Sequence, residues 1–501
     1  MVPVKISIGC RGVTADHPLA VKVGLDILED GGNAFDAAIS VSAVLSVVQP
    51  QMSGPGGDGF ILGFINDEVI AYSSSGRSPS GFDAGKYLEK KPTRGPLTVT
   101  IPGLVHLWGH LYEEYASMPL DKLLKPAIDL ACNGFNAGWF LSNSSRSYEE
   151  ELSGYEWRRY FKGVKLGDLI VNTEMARTLK LISSNGWREF YDGKLTEEMV
   201  SQLQNQGVDV SSDDFKEHRS VKVKPLKAEV YGRTLYELPP NAQGVSTLQL
   251  ISALHELDMG EFTFGDKERI EAWSEPVEKV YKFRDEFLGD PTYMNVNVED
   301  YVAYSSLEAF RNTKKHGENP ASGGDTTFFI VSDSKAFIGF IQSLFQPFGS
   351  GLIVGGFPVQ NRGAGFAKDR GLPNSPAPRK QPLHTLSILA VEDGDDKYII
   401  GCVGGDIRPQ LHLRVYENIF IYGMNPAEAV GAPRFVYTMP RRAQRVVVEE
   451  PLKSPSSKKA EVFQVQHYGS SGHVHVAVIN KAGRTILTND PRSEGIALAT
   501  K

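Results

Sequence analysis

The sequence predicts an α+β fold, in which helices dominate the first part of the chain and strands the last part. Residues 18–30 carry apolar side chains at helical spacing, and the nearly all-apolar residues 34–48 predict a second, buried helix. After residue 325 the pattern changes to short runs rich in β-branched and aromatic residues. Residues 328–332 and 336–341 flank a polar turn and predict a hairpin.

The remaining elements follow in order along the chain. Residues 60–65 and 69–72 predict an earlier hairpin, because Asn66-Asp67 forms a turn between two apolar runs. Predicted helices cover about 103–135 as a pair, much of 140–225, and about 268–288. Further strands are predicted at 234–238, 385–391, 397–403, 446–449, 474–480 and 485–489.

The composition is typical of a soluble globular protein. The 501 residues are 41% hydrophobic and 23% charged, with a net charge of −7, which argues against a general nucleic-acid binder. The three cysteines are far apart and form no metal-ligand pair, so we expect no metal and no cofactor. Neither a signal peptide nor an apolar membrane span is apparent, so we expect a cytoplasmic protein without membrane contact.

The segment Gly323-Gly-Asp-Thr-Thr327 is the strongest candidate for chemistry. It follows a polar, breaker-rich linker at 312–325 and opens the strand-rich part of the chain. We hypothesise that the chain cuts itself between Asp325 and Thr326. A threonine hydroxyl is a weak nucleophile alone, and a free α-amine on the same residue can act as its base. From the pattern alone, a strand threonine after a linker between two ordinary domains is the commoner arrangement.

Ten short stretches of the sequence, in order and spacing, resemble the γ-glutamyltransferase (γ-glutamyltranspeptidase) family over nearly the whole chain. They include Ser53-Gly-Pro-Gly-Gly-Asp-Gly-Phe60 and Asp325-Thr-Thr327. The full set lies at residues 31–38, 53–60, 101–103, 124–131 with 134–135, 287–291, 325–327, 348–351, 404–405, 432–435 and 490–492.

The resemblance implies an N-terminal-nucleophile hydrolase fold, an αββα sandwich of two stacked, mostly antiparallel sheets between helical layers. It also implies a precursor that cuts itself after Asp325. Residues 1–325 would form a large subunit and residues 326–501 a small subunit, and the two would stay associated as one structural unit.

The resemblance also implies catalytic roles for four residues. Thr326 matches the nucleophile, which would attack an amide carbonyl and form an acyl-enzyme. Ser343 matches a family threonine whose hydroxyl supports the nucleophile. Gly404 and Gly405 match two backbone amides that form an oxyanion hole, where loss of one donor typically costs about 3 kcal/mol of barrier.

The substrate-binding stretches depart from the family pattern. The family uses an arginine for the substrate α-carboxylate, and Arg77 is the only arginine in that region, shifted by about two positions. In the stretch that grips the α-amine, Asn361 is followed by Arg362 where the family has glutamine, and Gly365 replaces the acid. His384-Thr385 replaces a pair of serines.

These substitutions leave three hypotheses for the function. The first is a γ-glutamyl hydrolase or transferase that takes glutathione-like donors and an amino-acid or peptide acceptor. The second is a related acylase that hydrolyses glutaryl-type dicarboxylic amides, because Arg362 could bind a terminal carboxylate. The third is a catalytically inactive binding homologue, against which the intact Thr326, Ser343 and Gly404-Gly405 speak.

Overall fold

The computed structural model describes residues 5–310, 325–438, 444–456, 460–468 and 472–501. The linker predicted at 312–325 lies outside these ranges except for the backbone of Asp325, which opens a strand. Within the described ranges, every helix is too short or too polar to cross a membrane.

The chain alternates between helical segments and strands throughout its length. The helices are α1 (Pro18–Glu29), α2 (Ala34–Val48), α3 (Ala84–Lys90), α4 (Leu104–Tyr115), α5 (Leu120–Asn133), α6 (Trp139–Ser147), α7 (Glu149–Leu152), α8 (Trp157–Phe161), α9 (Thr173–Asn185), α10 (Lys194–Asn205), α11 (Ser212–Lys216), α12 (Gly244–Glu256), α13 (Lys267–Ala272), α14 (Ser274–Phe287), α15 (Arg408–Phe420) and α16 (Pro426–Gly431). The strands are β1 (Lys5–Gly9), β2 (Arg11–Ala15), β3 (Asp58–Ile65), β4 (Glu68–Ser74), β5 (Phe135–Asn136), β6 (Leu169–Ile170), β7 (Val221–Lys222), β8 (Leu226–Val230), β9 (Arg233–Glu237), β10 (Asp325–Ser332), β11 (Ala336–Phe345), β12 (Ile353–Val354), β13 (Phe357–Pro358), β14 (Leu389–Asp393), β15 (Asp396–Val403), β16 (Phe435–Thr438), β17 (Gln444–Glu449), β18 (Ala460–Val465), β19 (His473–Ile479), β20 (Thr485–Asn489) and β21 (Ile496–Thr500).

Two seven-stranded antiparallel sheets form the centre of the molecule. Sheet I has the strand order β1-β20-β19-β15-β14-β9-β8, and sheet II has the order β21-β2-β10-β11-β3-β4-β7. Each sheet takes strands from both sides of residue 325, so the segments before and after that residue are interleaved in both sheets. Strand β10, which begins at the hypothesised cleavage position, lies inside sheet II between β2 and β11.

The two sheets stack face to face and helices cover both outer faces. Phe328 and Ile330 of sheet II pack in one cluster with Ile399 of sheet I. Their neighbours Phe329 and Val331 point the other way and pack with helices that include α2 and α5, because successive strand residues face opposite sides. Helices α12, α14 and α15 cover the far face of sheet I. The predicted αββα sandwich is confirmed.

Helix α2 illustrates how local sequence sets the outer layer. The side chain of Asn33 caps this helix by accepting hydrogen bonds from the backbone amides of Phe35 and Asp36. The Asp36 carboxylate in turn accepts a hydrogen bond from the Asn33 backbone amide. Every residue of α2 is buried, as the apolar pattern predicts.

Strand β14 starts at Leu389, four residues later than predicted. The carbonyl of Thr385 accepts hydrogen bonds from the side chains of Gln243 and Arg408. That carbonyl is therefore unavailable for a strand ladder, and the segment before Leu389 lines the site described below.

Candidate active site

Thr326 lies at a break in the ladder between β10 and β11. Asp325 pairs with Phe345 and Thr327 pairs with Gln342, so Ser343 and Leu344 together oppose Thr326. Such bulges commonly redirect a side chain beside an active site. Only 2% of Thr326 is exposed. The predicted nucleophile and its predicted supporting hydroxyl, Ser343, therefore face each other across one irregular pair.

The two adjacent threonines have different surroundings. The Oγ1 atom of Thr326 accepts a hydrogen bond from Nη2 of Arg408 at 3.2 Å. The Oγ1 atom of Thr327 donates to Oγ of Ser53 at 3.3 Å, and Ser53 also accepts from Nε2 of Gln342 at 2.9 Å. Thr326 is thus the threonine whose hydroxyl contacts Arg408, which follows the loop after β15.

Gly404 and Gly405 form that loop, between β15 and α15. Gly405 has a φ of +52°, in the left-handed region that favours glycine. A Cβ atom on Gly404 would lie 2.5 Å from Cδ1 of Leu411. The backbone of Gly405 therefore favours glycine, and a side chain at 404 would have to displace the end of the Leu411 side chain. With glycine at both positions, the loop's backbone can approach a substrate without a side chain in the way. Their oxyanion role stays a prediction.

Arg408, the first residue of α15, joins this loop to Thr326. Its Nε donates to the carbonyl of Cys402 at 2.9 Å, and Nη1 donates to the carbonyls of Thr385 and, at 3.5 Å, Gly405. The Arg408 side chain is fully buried, and burial lowers its pKa. One guanidinium therefore connects the glycine loop, Thr385 and the Thr326 hydroxyl.

Arg362 is a second buried cation beside the site. It lies in a 3₁₀ turn at Arg362–Gly365. Its Nη2 donates to Oγ of Ser343 and its Nη1 to Oγ1 of Thr385, both at 3.4 Å, and its guanidinium stacks 4.3 Å from the ring centre of Phe345. Burial lowers the pKa of Arg362 to about 9, with Asp58 opposing that shift. The predicted residues Ser343, Arg362 and Thr385 thus form one connected group.

Asp58 lies behind Arg362 at the start of β3. Its Oδ1 accepts from the amides of Gly76 at 3.0 Å and Gly103 at 3.1 Å, and from Nε2 of Gln360 at 2.9 Å. Burial raises the pKa of Asp58 to about 7, while Arg362 and these donors act to lower it. The charge of Asp58 acts to raise the pKa of Arg362 and so partly balances the effect of burial.

His384 contacts Asp58 and not the nucleophile. Its Nε2 lies 3.1 Å from Oδ2 of Asp58, and Nδ1 has no hydrogen-bond partner among the described residues. Burial, together with Arg362 and Arg408, lowers the pKa of His384 well below its usual value, so the imidazole is neutral. The geometry fits a neutral ring that donates from Nε2 to the carboxyl group.

We expect Asp58→Asn to change how stability depends on pH. A raised pKa means that the folded protein holds the Asp58 proton more tightly than the unfolded chain, whose aspartates titrate near pH ~4. The wild-type protein therefore loses stability as pH rises from there through about 7. Asparagine lacks this loss, so the Tm of the wild type minus the Tm of the variant should fall between pH 5 and pH 8. If this Tm difference instead rises with pH, the carboxyl group stays ionised in the fold.

Arg77 is on a separate, open cleft. Its Nη1 lies 3.4 Å from Oδ2 of Asp290 and donates to the carbonyl of Arg379 at 3.0 Å, and half of its side chain is exposed. The cleft has a volume of about 430 Å³ and is also lined by Ser75, Glu217 and Arg379. The described contacts of Arg77 do not include Thr326, Ser343 or Arg362. Its expected role in binding the α-carboxylate stays a prediction.

Asn361 braces the loop that carries Arg362. Its Nδ2 donates to the carbonyl of Thr93 at 2.7 Å and to Oε1 of Gln346 at 2.6 Å, and its Oδ1 accepts from the Gln346 amide at 3.2 Å. Both amide protons are used within the protein. The contacts therefore assign Asn361 to positioning its neighbour, while the predicted contact with substrate remains a prediction.

A buried Asp16–His473–His475 cluster lies under the same strand. Both histidine Nε2 atoms lie 2.7 Å from Oδ1 of Asp16, and Oδ2 accepts from the amide of Phe328, two residues after Thr326, at 2.8 Å. The three side chains are close enough to bind a metal ion. Nδ1 of His475, however, accepts from Nδ2 of Asn489 at 2.9 Å, so its Nε2 carries the proton that bonds to Asp16. This arrangement fits a hydrogen-bonded support for β10 better than a metal site.

Arg408, Asp58 and Asp16 were not identified from the sequence. Asp58 lies within a family-like stretch, but nothing local shows that its partners are at positions 76, 103, 360 and 384. The available signal for Arg408 was its place just after the two glycines. The available signal for the cluster was the His-x-His spacing in a strand, which puts both rings on one face.

Comparison with known proteins agrees with this fold. The family model described as gamma-glutamyltranspeptidase matches residues 20–500. The chain is 34% identical to the glutathione hydrolase-like YwrD proenzyme of Bacillus subtilis (strain 168), over 85% of this chain and 84% of that protein. It is 28% identical to the glutathione hydrolase proenzyme of Escherichia coli (strain K12), over 95% and 89% of the respective chains.

Among solved structures, the cephalosporin acylase from Bacillus halodurans is similar along the whole chain. The two share a TM-score of 0.88 at 25% sequence identity, over 100% of this chain and 97% of the acylase. The relatives thus carry names from two kinds of amide-cleaving enzyme.

Proposed function

The chain belongs to the γ-glutamyltranspeptidase family, and on that premise we propose that it cleaves γ-glutamyl amide bonds of glutathione-like donors through an acyl-enzyme on Thr326. The acyl group then passes to water or to the amine of an acceptor amino acid or peptide. The observation that carries this proposal is the buried Thr326 hydroxyl, opposite Ser343 and joined by Arg408 to the Gly404-Gly405 loop.

The first event would be self-cleavage of the chain between Asp325 and Thr326. The relatives named above are proenzymes, which supports a processed form here. Strands from both fragments pair with one another in sheets I and II, so the fragments 1–325 and 326–501 would remain associated after the cut. Cleavage gives Thr326 a free α-amine on the same residue as its hydroxyl.

Acylation then proceeds in two steps, attack on the substrate carbonyl and release of the leaving amine. The Oγ1 proton moves to the Thr326 amine as Oγ1 bonds to the substrate carbonyl carbon, and the carbonyl oxygen takes the π electron pair. Gly404 and Gly405 are the backbone groups proposed to stabilise that oxyanion. When it collapses, the carbon–nitrogen bond breaks and the leaving amine takes the proton from the Thr326 ammonium.

Deacylation reverses the same proton path. The incoming water or acceptor amine gives a proton to the Thr326 amine and attacks the ester carbonyl carbon. The carbon–Oγ1 bond breaks, and Oγ1 recovers the proton. The Thr326 amine thus acts as base in one half and as acid in the other, with no net change in the enzyme.

A second candidate function is an acylase for glutaryl-type amides. The specific observation is Arg362, a fully buried cation within 3.4 Å of both Ser343 and Thr385. A guanidinium there suits a terminal carboxylate and disfavours the ammonium group of a γ-glutamyl donor. The similarity to a cephalosporin acylase is consistent with this second candidate.

Two anilides separate the candidates, because γ-glutamyl anilide and glutaryl anilide differ only in the α-amino group. Under the proposed function, we expect the higher kcat/KM for γ-glutamyl anilide, and added dipeptide should divert part of the acyl group into a transfer product. A higher kcat/KM for glutaryl anilide would replace the first function with the second. No turnover of either by a fully cleaved protein would favour an inactive binding homologue.

A further inference from the structure

Arg408 is the described side chain that hydrogen-bonds to the proposed nucleophile, through Nη2 at 3.2 Å from Oγ1 of Thr326. Its other hydrogen bonds go to the backbone carbonyls of Cys402, Thr385 and Gly405. These three fixed acceptors orient the guanidinium through Nε and Nη1, so its Nη2 group is held toward Thr326. A guanidinium stays protonated throughout the working pH range.

The positive charge of Arg408 has no adjacent carboxylate. None of the described Asp or Glu side chains lies within ion-pair distance of Arg408, whereas Arg414, on the same helix, lies 2.9 Å from Glu417. The acid that most affects Arg408 is Glu237, which is itself buried with a raised pKa and bonded to His412 at 3.0 Å. Arg408 is therefore a largely uncompensated cation that touches the reacting oxygen.

Other charged or titratable groups face this region from each neighbouring element. From the side of Arg362 these are Arg362 in the 3₁₀ turn, Asp58 on β3 and His384 before β14. From the side of α15 they are Cys402 on β15, Asp406 in the glycine loop, Tyr281 on α14, Glu237 on β9 and His412 on α15. Asp16, His473 and His475 lie under β10. Of these, Arg408 contacts Oγ1 directly, and Arg362 adds a second positive charge. The acids are directed elsewhere. Asp58 contacts His384, and Asp16 contacts two histidines. Glu237 contacts His412, and Asp406 pairs with Arg284 of α14 at 2.7 Å.

We propose that Arg408 is a catalytic residue that keeps the α-amine of cleaved Thr326 in its unprotonated, basic form and stabilises the negative charge that develops on Oγ1. This inference rests on the proposed role of Thr326. The amine and Oγ1 belong to one residue, so a cation bonded to Oγ1 also lies close to the amine. A nearby positive charge disfavours a second one and favours an adjacent anion.

The first test is the pH dependence of kcat/KM in the cleaved protein, for wild type, Arg408→Gln and Arg408→Lys. An ordinary α-amine titrates at about 7.7–8.0. In the wild type, we expect the midpoint pH of the acidic limb of kcat/KM to lie below that range. This midpoint should rise by about one pH unit in Arg408→Gln and stay near the wild-type value in Arg408→Lys. Arg414→Gln is the matched control, because it removes another buried arginine of α15 and should leave the limb in place.

The second test needs no variant. The α-amine of Thr326 in the cleaved wild-type protein is labelled with acetic anhydride over pH 5–9. Because lysines also react, the acetylated fraction of the α-amine itself is read by tandem mass spectrometry of the N-terminal peptide of the 326–501 fragment. We expect half-maximal labelling at least about one pH unit below that of the same fragment after denaturation. This readout identifies the amine itself, so titration of Asp58 in a similar range does not confuse it.

Three results would overturn the role of Arg408: an unchanged acidic limb in Arg408→Gln, a limb that rises equally in Arg414→Gln, or native labelling that coincides with labelling of the denatured fragment. Should Arg408→Gln fail to cleave itself, wild-type labelling that coincides with labelling of the denatured fragment would still overturn the proposal, and a limb in Arg408→Lys that rises no further than in Arg414→Gln would support it. Failure of the proposed function looks different, because the wild-type protein would then have no Thr326 α-amine or no amidase activity.

Discussion

Thr326→Ala is expected to leave the chain uncut between residues 325 and 326 and to reduce amide hydrolysis to background, a loss of roughly 10³-fold or more. Alanine removes the Oγ1 atom that Arg408 contacts and that Ser343 opposes across β10 and β11. No other described hydroxyl occupies that position. Denaturing electrophoresis and turnover of the preferred anilide measure the two effects.

Thr327→Ala is the matched control for this substitution. It makes the same chemical change one residue along the strand, where the hydroxyl contacts Ser53 on a different side. We expect cleavage and turnover to survive in Thr327→Ala. If Thr327→Ala abolishes both and Thr326→Ala does not, the nucleophile has been assigned one residue too early.

Arg362→Gln is expected to lower kcat/KM for a glutaryl anilide by about 10- to 100-fold. That range corresponds to a hydrogen bond to a charged group, which typically contributes about 1.5–3 kcal/mol. A butyryl anilide, which lacks the terminal carboxylate, is the matched control substrate and should change little. The γ-glutamyl anilide should lose less than the glutaryl anilide, because the substitution also removes a cation that repels its ammonium group.

The fold should tolerate the loss of the Arg362 charge. Asp58 is the carboxyl group that would be left without its cation, and its pKa is already raised to about 7, so it can take up a proton. An equal fall in kcat/KM for all three anilides would indicate that Arg362 only supports the shape of the site. In that case the glutaryl-type candidate function would lose its structural basis.

The sequence predicted those features that depend on local pattern. The apolar run of α2 and the two β-branched and aromatic runs of β10 and β11 predicted the correct elements. Every residue of α2 and of β11 is buried, as such apolar runs indicate. Family-like stretches predicted the sandwich and placed Thr326, Ser343 and Gly405 in one region, which the ladder and the Arg408 contacts support.

The parts that were not predicted depend on long-range packing. Arg408 reaches Thr326 across 82 positions of the chain, and Asp58 meets His384 across 326. Arg408 is proposed to lower the pKa of the Thr326 amine because it is buried without an adjacent carboxylate. The residues near Arg408 in the sequence do not show whether a carboxylate lies beside it in the fold. Arg77 was named because its residue type fits carboxylate binding; the structure places it 3.4 Å from Asp290, and its role in substrate binding stays a prediction.

The central claim is that Thr326 becomes an N-terminal nucleophile and carries the acyl group. It is tested most directly by acid-quenching the cleaved protein during turnover and analysing the small fragment by N-terminal sequencing and mass spectrometry. We expect a fragment beginning Thr-Thr-Phe-Phe, with an added mass equal to the acyl group located on Thr326. A chain that remains uncut, or an acyl group located on any other residue, would contradict the claim.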